Sequence, residues 1–220
     1  MRTEMKKTLQ PENPVMIFME KVFNMMLANV LFLICSVPVI TIGAALTGLL
    51  QVVEDQIYHE DAPVIRRFFE AFRENFKQST AVFLMMAVFL IGMACNALLT
   101  LTYLRGWAAQ MAYIILGVLT ALGLAILSYL FPMIVRYRNT LKDHLNNSLI
   151  LTIVKFPRTL LMLLLNTLFF WIPFFSFQLF LATLVFWLII GFAFIAYSDI
   201  RILVPVFKQM EEKNTVDLFN

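Results

Sequence analysis

Ser36-Val37-Pro38-Val39-Ile40-Thr41-Ile42-Gly43 interrupts an uncharged apolar stretch that covers residues 22–53. Pro38 lacks a backbone N–H and disfavours the helical conformation at the residue before it, and Gly43 lets the chain bend again. Two interpretations are open: one long kinked membrane helix, or two shorter helices that turn back at the break. In the second interpretation, Pro38, Thr41 and Gly43 form the turn of a hairpin.

The composition of the whole chain agrees with a membrane location for this stretch. Of the 220 residues, 61% are apolar and only 14% are charged. Typical soluble domains have about 45–50% apolar and about 25% charged residues. A soluble fold of this length would leave large apolar patches in water, and a disordered chain requires the opposite composition. The composition therefore excludes both classes and predicts an integral membrane protein.

Four further apolar runs come close to the roughly 20 residues that a membrane-crossing helix needs. They predict spans over residues 80–103, 107–135, 157–172 and 174–200. The expected fold class is all-α, a polytopic membrane helix bundle with four full spans plus an N-terminal broken hairpin or re-entrant element. The chain is then a single integral-membrane domain over residues 1–220. Its N-terminal segment, 1–21, and its tail, 205–220, are expected to be cytoplasmic.

The distribution of basic residues favours the hairpin over the kinked helix. If residues 22–53 cross the membrane once, the 17 Lys and Arg divide 5 against 12 between the two faces. If these residues turn back, the division is 16 against 1. Because cytoplasmic loops carry the excess of Lys and Arg, we expect the hairpin, with both termini cytoplasmic. Irregular backbone at membrane depth needs protein or water around it, so we expect the turn to be packed among the spans.

Residues 62–79 have the pattern of an amphipathic helix. Apolar residues recur at three- and four-residue spacing, and charged residues fill the other turns. Such a helix either lies at the lipid interface or offers a face to a partner protein, and both interpretations stay open. The residues expected to make these contacts are Arg66, Phe69, Phe72, Arg73, Phe76 and Lys77. A second amphipathic segment, residues 140–158, precedes the third full span.

The strongest polar side chains within the spans are Asn29, Asn96, Asn166 and Gln178. In hydrocarbon such groups point inward and form hydrogen bonds between helices, or they line a path for a polar substrate. No acidic or basic residue is expected in the middle of a span, because Asp199 and Arg201 fall at the inner end of the last one. Since ion-coupled pumps generally need such a charge, this argues against an active transporter.

The sequence contains no convincing catalytic, metal or cofactor motif. His59-Glu60-Asp61 is the densest acidic and histidine cluster, and a solvated turn before the amphipathic helix explains it best. A membrane enzyme that uses these three residues stays open as an alternative. The formal net charge of +3 is too small to indicate a nucleic-acid partner. We therefore expect no catalytic residues, no metal site and no cofactor.

Two motif blocks carry a family resemblance. The first is Asn29-Val30-Leu31-Phe32 followed by residues 36–45, which contain the pattern PxxTxG, and the second is residues 68–80, which contain FxxNFKQ. Together these blocks resemble the YesL-like family of small bacterial membrane proteins, a domain of unknown function. The resemblance implies a Gram-positive plasma-membrane protein associated with sugar utilisation and ABC importers. It supplies no catalytic residues.

The leading hypothesis is a non-enzymatic accessory membrane protein of carbohydrate uptake. Its expected partners are the lipid bilayer and the subunits of an ABC-type sugar importer, which the amphipathic helices would contact. The alternative is a small substrate-conducting protein lined by the four polar side chains of the spans.

Overall fold

The computed structural model describes residues 14–58 and 62–218, and in these residues all regular structure is helical. An all-α polytopic helix bundle is therefore confirmed. Short 3₁₀ turns lie at Val39–Thr41 and Ile172–Phe175, and a π-helical turn lies at Trp187–Gly191. The helices are α1 Pro14–Cys35, α2 Ile42–Tyr58, α3 Val64–Glu74, α4 Phe76–Tyr103, α5 Trp107–Arg136, α6 Leu141–Val154, α7 Phe156–Trp171, α8 Phe177–Phe186 and α9 Phe192–Leu218.

Several helices are long and apolar enough to cross a membrane, which makes the chain a multi-pass membrane protein. Four qualify alone: Pro14–Cys35, Phe76–Tyr103, Trp107–Arg136 and Phe177–Glu212. The pair α6 and α7 qualifies only together and is bent by 98°. The expected span 157–172 thus corresponds to α7, whose 16 residues follow a sharp bend.

The last helix differs from the expected span 174–200, because α9 continues to Leu218. Arg201 and Lys208 suggest an end in the sequence, but the residues between them include buried apolar side chains. Leu203, Val206 and Phe207 are at most 1% exposed and belong to the core. Burial of these side chains favours continuation of the helix beyond the charges.

Helix α2 occupies the centre of the packed core. It contacts α1, α3, α4, α5 and α9. Small residues permit this crowding: a Cβ atom on Gly43 would overlap the carbonyl oxygen of Ser79 and lie 2.9 Å from Cβ of Phe83. The close approach of α2 to the start of α4 therefore requires glycine at this position.

The break between α1 and α2 is a turn, and the two helices pack against each other in one apolar cluster. Helix α1 begins at Pro14, earlier than the expected start at residue 22 and within the segment expected as the N-terminal tail. Proline suits the first turn of a helix, where its missing N–H is not needed.

The expectation that this turn is buried is wrong for most of its length. Val37, Val39 and Ile40 are 80%, 66% and 59% exposed, whereas Gly43 is buried. The Thr41 hydroxyl is within 2.6 Å of the carbonyl oxygens of Cys35 and Pro38. The Thr41 hydroxyl thus forms hydrogen bonds with backbone carbonyl groups at the break between the two helices. Because these groups have a partner within the turn, the turn does not need to be buried among the spans.

The core is concentrated in the half of the bundle that holds the C-terminal ends of α2 and α5, which we call the core end. In α5 all buried residues lie between Ala125 and Ile134, and none lies in its first half. Buried hydrogen bonds also occur here, for example 2.9 Å between the hydroxyls of Tyr129 and Thr159, which connects α5 to α7. At the opposite end, α4 and α5 expose apolar side chains over most of their surface.

Candidate functional site

Polar side chains at the core end converge on Arg136. Its guanidinium donates to Glu54, to the Tyr58 hydroxyl at 3.0 Å and to Glu211 Oε1 at 2.9 Å. It also lies over the rings of Tyr58 and Phe207, 4.8 and 5.1 Å from their centroids. Only 15% of the Arg136 side chain is exposed, so the two carboxylates compensate a largely desolvated charge. Arg136, Glu54 and Glu211 form an ionic knot that joins α2, α5 and α9.

A second ion pair fixes α3 against α2. Arg67 donates two hydrogen bonds to Asp55, of 2.7 and 2.9 Å, in the bidentate arrangement that guanidinium groups favour. The Gln51 side-chain amide donates to the same carboxylate at 2.8 Å. The Asp55 side chain is 6% exposed, which makes this pair a structural contact of the core end.

The apolar face of α3 is covered by α2. Phe68 is fully buried and Ala71 is 5% exposed. A Cβ atom on Gly48 would come within 2.9 Å of the Phe68 carbonyl oxygen, so glycine permits this close approach. Of the residues expected on this helix, Phe69 and Phe72 are half-buried in the same aromatic cluster, with ring centroids 6.4 Å apart.

The outer face of α3 forms a shallow charged groove. Arg66 and Arg73 are exposed, and Arg66 makes an exposed ion pair of 2.7 Å with Glu70 one turn later. Beyond α3, Phe76 is half-buried and Lys77 is exposed at the start of α4. The groove has a volume of about 460 Å³ and is lined by Pro63, Ile65, Arg66, Phe69, Glu70 and Arg73. Two of the charged residues expected on this helix therefore share one surface.

Asn29 performs a specific structural task inside the bundle. Its side chain is fully buried and donates to the carbonyl oxygens of Trp187 and Leu188, both at 3.0 Å. The Ala193 backbone N–H donates to Asn29 Oδ1 at 3.1 Å. Asn29 therefore bonds three backbone groups at the π-helical turn Trp187–Gly191 and the start of α9, where the regular α-helical pattern is interrupted.

The other three polar residues of the spans lie apart from Asn29. Asn166 donates from α7 to the Asp199 carboxylate of α9, at 3.1 and 3.4 Å. Asn96 is exposed and bonds only to the Gly92 carbonyl oxygen of its own helix, at 2.8 Å. Gln178 is exposed on α8. Asn29, Asn96 and Asn166 therefore form hydrogen bonds with different groups, and no hydrogen bond links any two of these three side chains.

The acidic and histidine cluster His59-Glu60-Asp61 lies outside the described residues. Among residues 14–58 and 62–218, no group of three or more His, Cys, Asp or Glu side chains is placed to hold a metal ion. His144 is fully buried in α6.

Two residues with important contacts were not expected from sequence. The sequence marks Arg136 only as the basic residue at which the expected span 107–135 ends, although an arginine in the last turn of a long apolar helix is a usable signal. Asp199 was placed at the end of a span, because the apolar residues beyond Arg201 were assigned to a tail.

A comparison with protein families gives a match over part of the chain. Residues 25–97 match the model of a family described as a protein of unknown function, DUF624. This segment runs from within α1 through most of α4, and it includes the α1–α2 turn, α2 and α3. No curated protein and no solved structure matches the chain. The matched segment, residues 25–97, contains both the central helix α2 and the α3 groove.

Proposed function

We propose that this protein is a non-enzymatic accessory component of carbohydrate uptake that contacts an ABC-type sugar importer through the α3 groove. The protein would be a member of the YesL-like family in the plasma membrane of a Gram-positive bacterium, with both termini cytoplasmic. The resemblance of the motif blocks at 29–45 and 68–80 to that family supports this proposal.

The observation that carries the proposal is the fixed position of α3. The buried Phe68 and the bidentate Arg67–Asp55 pair hold the helix on α2 and orient its charged face outward. An amphipathic helix that only binds lipid would insert its apolar face into the bilayer. Here α2 covers much of that face, and the exposed groove combines the charged side chains Arg66, Glu70 and Arg73 with the apolar residues Pro63, Ile65 and Phe69. Alternating charges suit recognition of a protein surface and give it specificity.

The conducting alternative has less support. A polar path would require side chains of different helices around one cavity, and the four candidate residues occupy separate contacts. In particular, Asn29 already bonds three backbone groups of the π-helical turn and its neighbour.

Co-purification from sugar-grown cells tests the docking proposal. We expect the tagged full-length protein, solubilised gently, to recover the membrane or ATPase subunits of an ABC sugar importer. The double variant Arg66→Glu and Arg73→Glu should reduce recovery by about tenfold or more, corresponding to about 1.4 kcal/mol of binding free energy.

The matched control is Arg138→Glu. Arg138 is also an exposed arginine of the core end, with a side chain 92% exposed, and it pairs with Glu74 at 3.5 Å but is not among the residues that line the groove. This variant should recover the importer subunits like the wild type. Recovery that contains no importer subunit, or that is unaffected by the double variant, contradicts docking through α3.

A further inference from the structure

Asp199 lies deep within a helix that is apolar enough to cross the membrane. The helical segment Phe177–Glu212 contains it, and the chain continues in α9 well beyond it. Glu211, twelve residues later, reaches Arg136 in the ionic knot. With a rise of 1.5 Å per residue, Asp199 is about 18 Å farther along the helix axis than this charged contact. The carboxyl group is therefore separated from the ion pairs of the core end.

The only hydrogen-bond partner of the Asp199 carboxyl group in the described chain is a neutral amide. Asn166 Nδ2 is 3.1 Å from Oδ2 and 3.4 Å from Oδ1. Among the side chains described in residues 14–58 and 62–212, no Lys, Arg or His forms an ion pair with Asp199. This distinguishes Asp199 from Asp55 and Glu54, each of which is paired with an arginine.

Charged groups on the surrounding elements are engaged or located elsewhere. The elements that pack most closely on α9 are α1, α2, α7 and the π-helical turn. On α9 itself, Arg201 lies over the Tyr197 ring, 5.9 Å from its centroid. The π-helical turn carries no titratable side chain. The charged side chains on α1, α2 and α7 are Glu20 and Lys21, Glu54 and Asp55, and Arg158, and the other titratable groups on these helices are Cys35 and Tyr58.

An ionised carboxylate in this position is costly. Removing a carboxylate from water carries a penalty of several kcal/mol even after relaxation. A hydrogen bond from a neutral donor stabilises a charged group by only about 1.5–3 kcal/mol, which is less than this desolvation penalty. The neutral acid avoids most of this penalty. An asparagine side chain can bond either form, because its N–H groups donate to a carboxylate and its carbonyl oxygen accepts from a carboxylic O–H.

We propose that Asp199 and Asn166 form a proton-binding site within the membrane-spanning part of the protein. The Asp199 carboxyl group holds a proton at neutral pH, and Asn166 can bond it in either protonation state. The site is independent of docking through α3.

Labelling with dicyclohexylcarbodiimide tests the proposal. This apolar reagent adds to protonated carboxyl groups and leaves a stable N-acylurea, whose position mass spectrometry identifies. In the full-length protein in liposomes, we expect an adduct on Asp199 at neutral pH. As the pH rises through the titration of the site, labelling should fall about tenfold per pH unit.

Two comparisons make the result decisive. Asp55 is buried, whereas Asp199 is half-buried, but Asp55 is paired with Arg67, so its adduct should be weaker than that of Asp199 in the same sample. Asn166→Leu removes the donor that stabilises the carboxylate, so labelling of Asp199 should persist to higher pH. An infrared carboxylic C=O band that is absent in Asp199→Asn provides a second readout that needs no reagent access. Absence of both the adduct and the band at every pH overturns the proposal.

Discussion

At the scale of single residues, Gly43 determines how closely α2 approaches α4. We expect Gly43→Ala to lower the free energy of unfolding by about 1–3 kcal/mol, because the added methyl group meets the Ser79 backbone, which cannot rotate away. Unfolding in SDS, followed by tryptophan fluorescence, measures this. Gly92→Ala is the control, since a Cβ atom there has no neighbour within 4 Å. Equal effects of the two substitutions would contradict a specific role for Gly43.

Arg136 is the residue on which the core end depends most. Arg136→Met leaves Glu54 and Glu211 without their shared cation, and we expect a loss of about 3–5 kcal/mol in the free energy of unfolding. The same unfolding assay measures it. Arg138→Met removes an arginine whose side chain is 92% exposed and should change stability by less than about 0.5 kcal/mol. A stable Arg136→Met protein would show that the knot forms without contributing to stability.

The sequence contains part of this residue-scale information. Pro38 and Gly43 correctly indicate the break in the first apolar stretch, because their backbone effects are local. The Thr41 contacts that satisfy the turn depend on how the chain folds back, and a local pattern does not encode that. Asp199 was misplaced for a related reason: hydropathy averages a few residues, whereas the continuation of α9 depends on packing of Phe207 in the core.

At the scale of helices, Asn29 connects α1 to the π-helical turn before α9. Asn29→Leu leaves backbone carbonyl groups of Trp187 and Leu188 and the Ala193 N–H without their partner. An unpaired buried polar group costs about 1–3 kcal/mol, so we expect a loss of at least about 2 kcal/mol in the free energy of unfolding.

The control for this prediction is Asn96→Leu. The Asn96 amide is exposed and bonds only to its own helix, so its removal should leave stability within about 0.5 kcal/mol of the wild type. Proteolysis of the folded protein gives an independent readout, since a released α1 should be cleaved faster in Asn29→Leu alone. No difference between the two variants would mean that the backbone groups find other partners.

The amphipathic pattern of α3 was visible in the sequence, but the surface that covers it was not. Spacing of apolar residues defines the buried face of a helix without identifying what lies against it. Phe68 and Ala71 pack on α2. This contact depends on the absence of a side chain at Gly48. The same limit applies to the polar residues of the spans, because Asn29 and Asn96 look equivalent in sequence and differ completely in their contacts.

At the scale of the whole molecule, the ion pairs of Arg136 bring the C-terminal ends of α2 and α5 close to the C-terminal part of α9. The excess of basic residues predicts that residues 62 and 138 lie on the cytoplasmic face. A cysteine that replaces Ala62 or Arg138 should therefore react with a membrane-impermeant maleimide only after the membrane has been permeabilised. A cysteine at Arg105 should react in intact cells. Cys35 and Cys95 are replaced by serine first. Labelling of Ala62→Cys from outside would contradict the hairpin topology.

The unequal lengths of the transmembrane helices have a consequence for the surrounding lipid. Helix α4 has 28 residues and a length of about 42 Å, whereas α7 has 16 residues and a length of about 24 Å. A bilayer with a hydrocarbon thickness of about 30 Å cannot match both helices at once. The longer helix must tilt or protrude, whereas α7 reaches the length of a span only together with α6, which it meets at a bend of 98°. We therefore expect the bilayer to be thinner beside α7 than beside α4, and the stability of the protein to vary with the acyl-chain length of the bilayer.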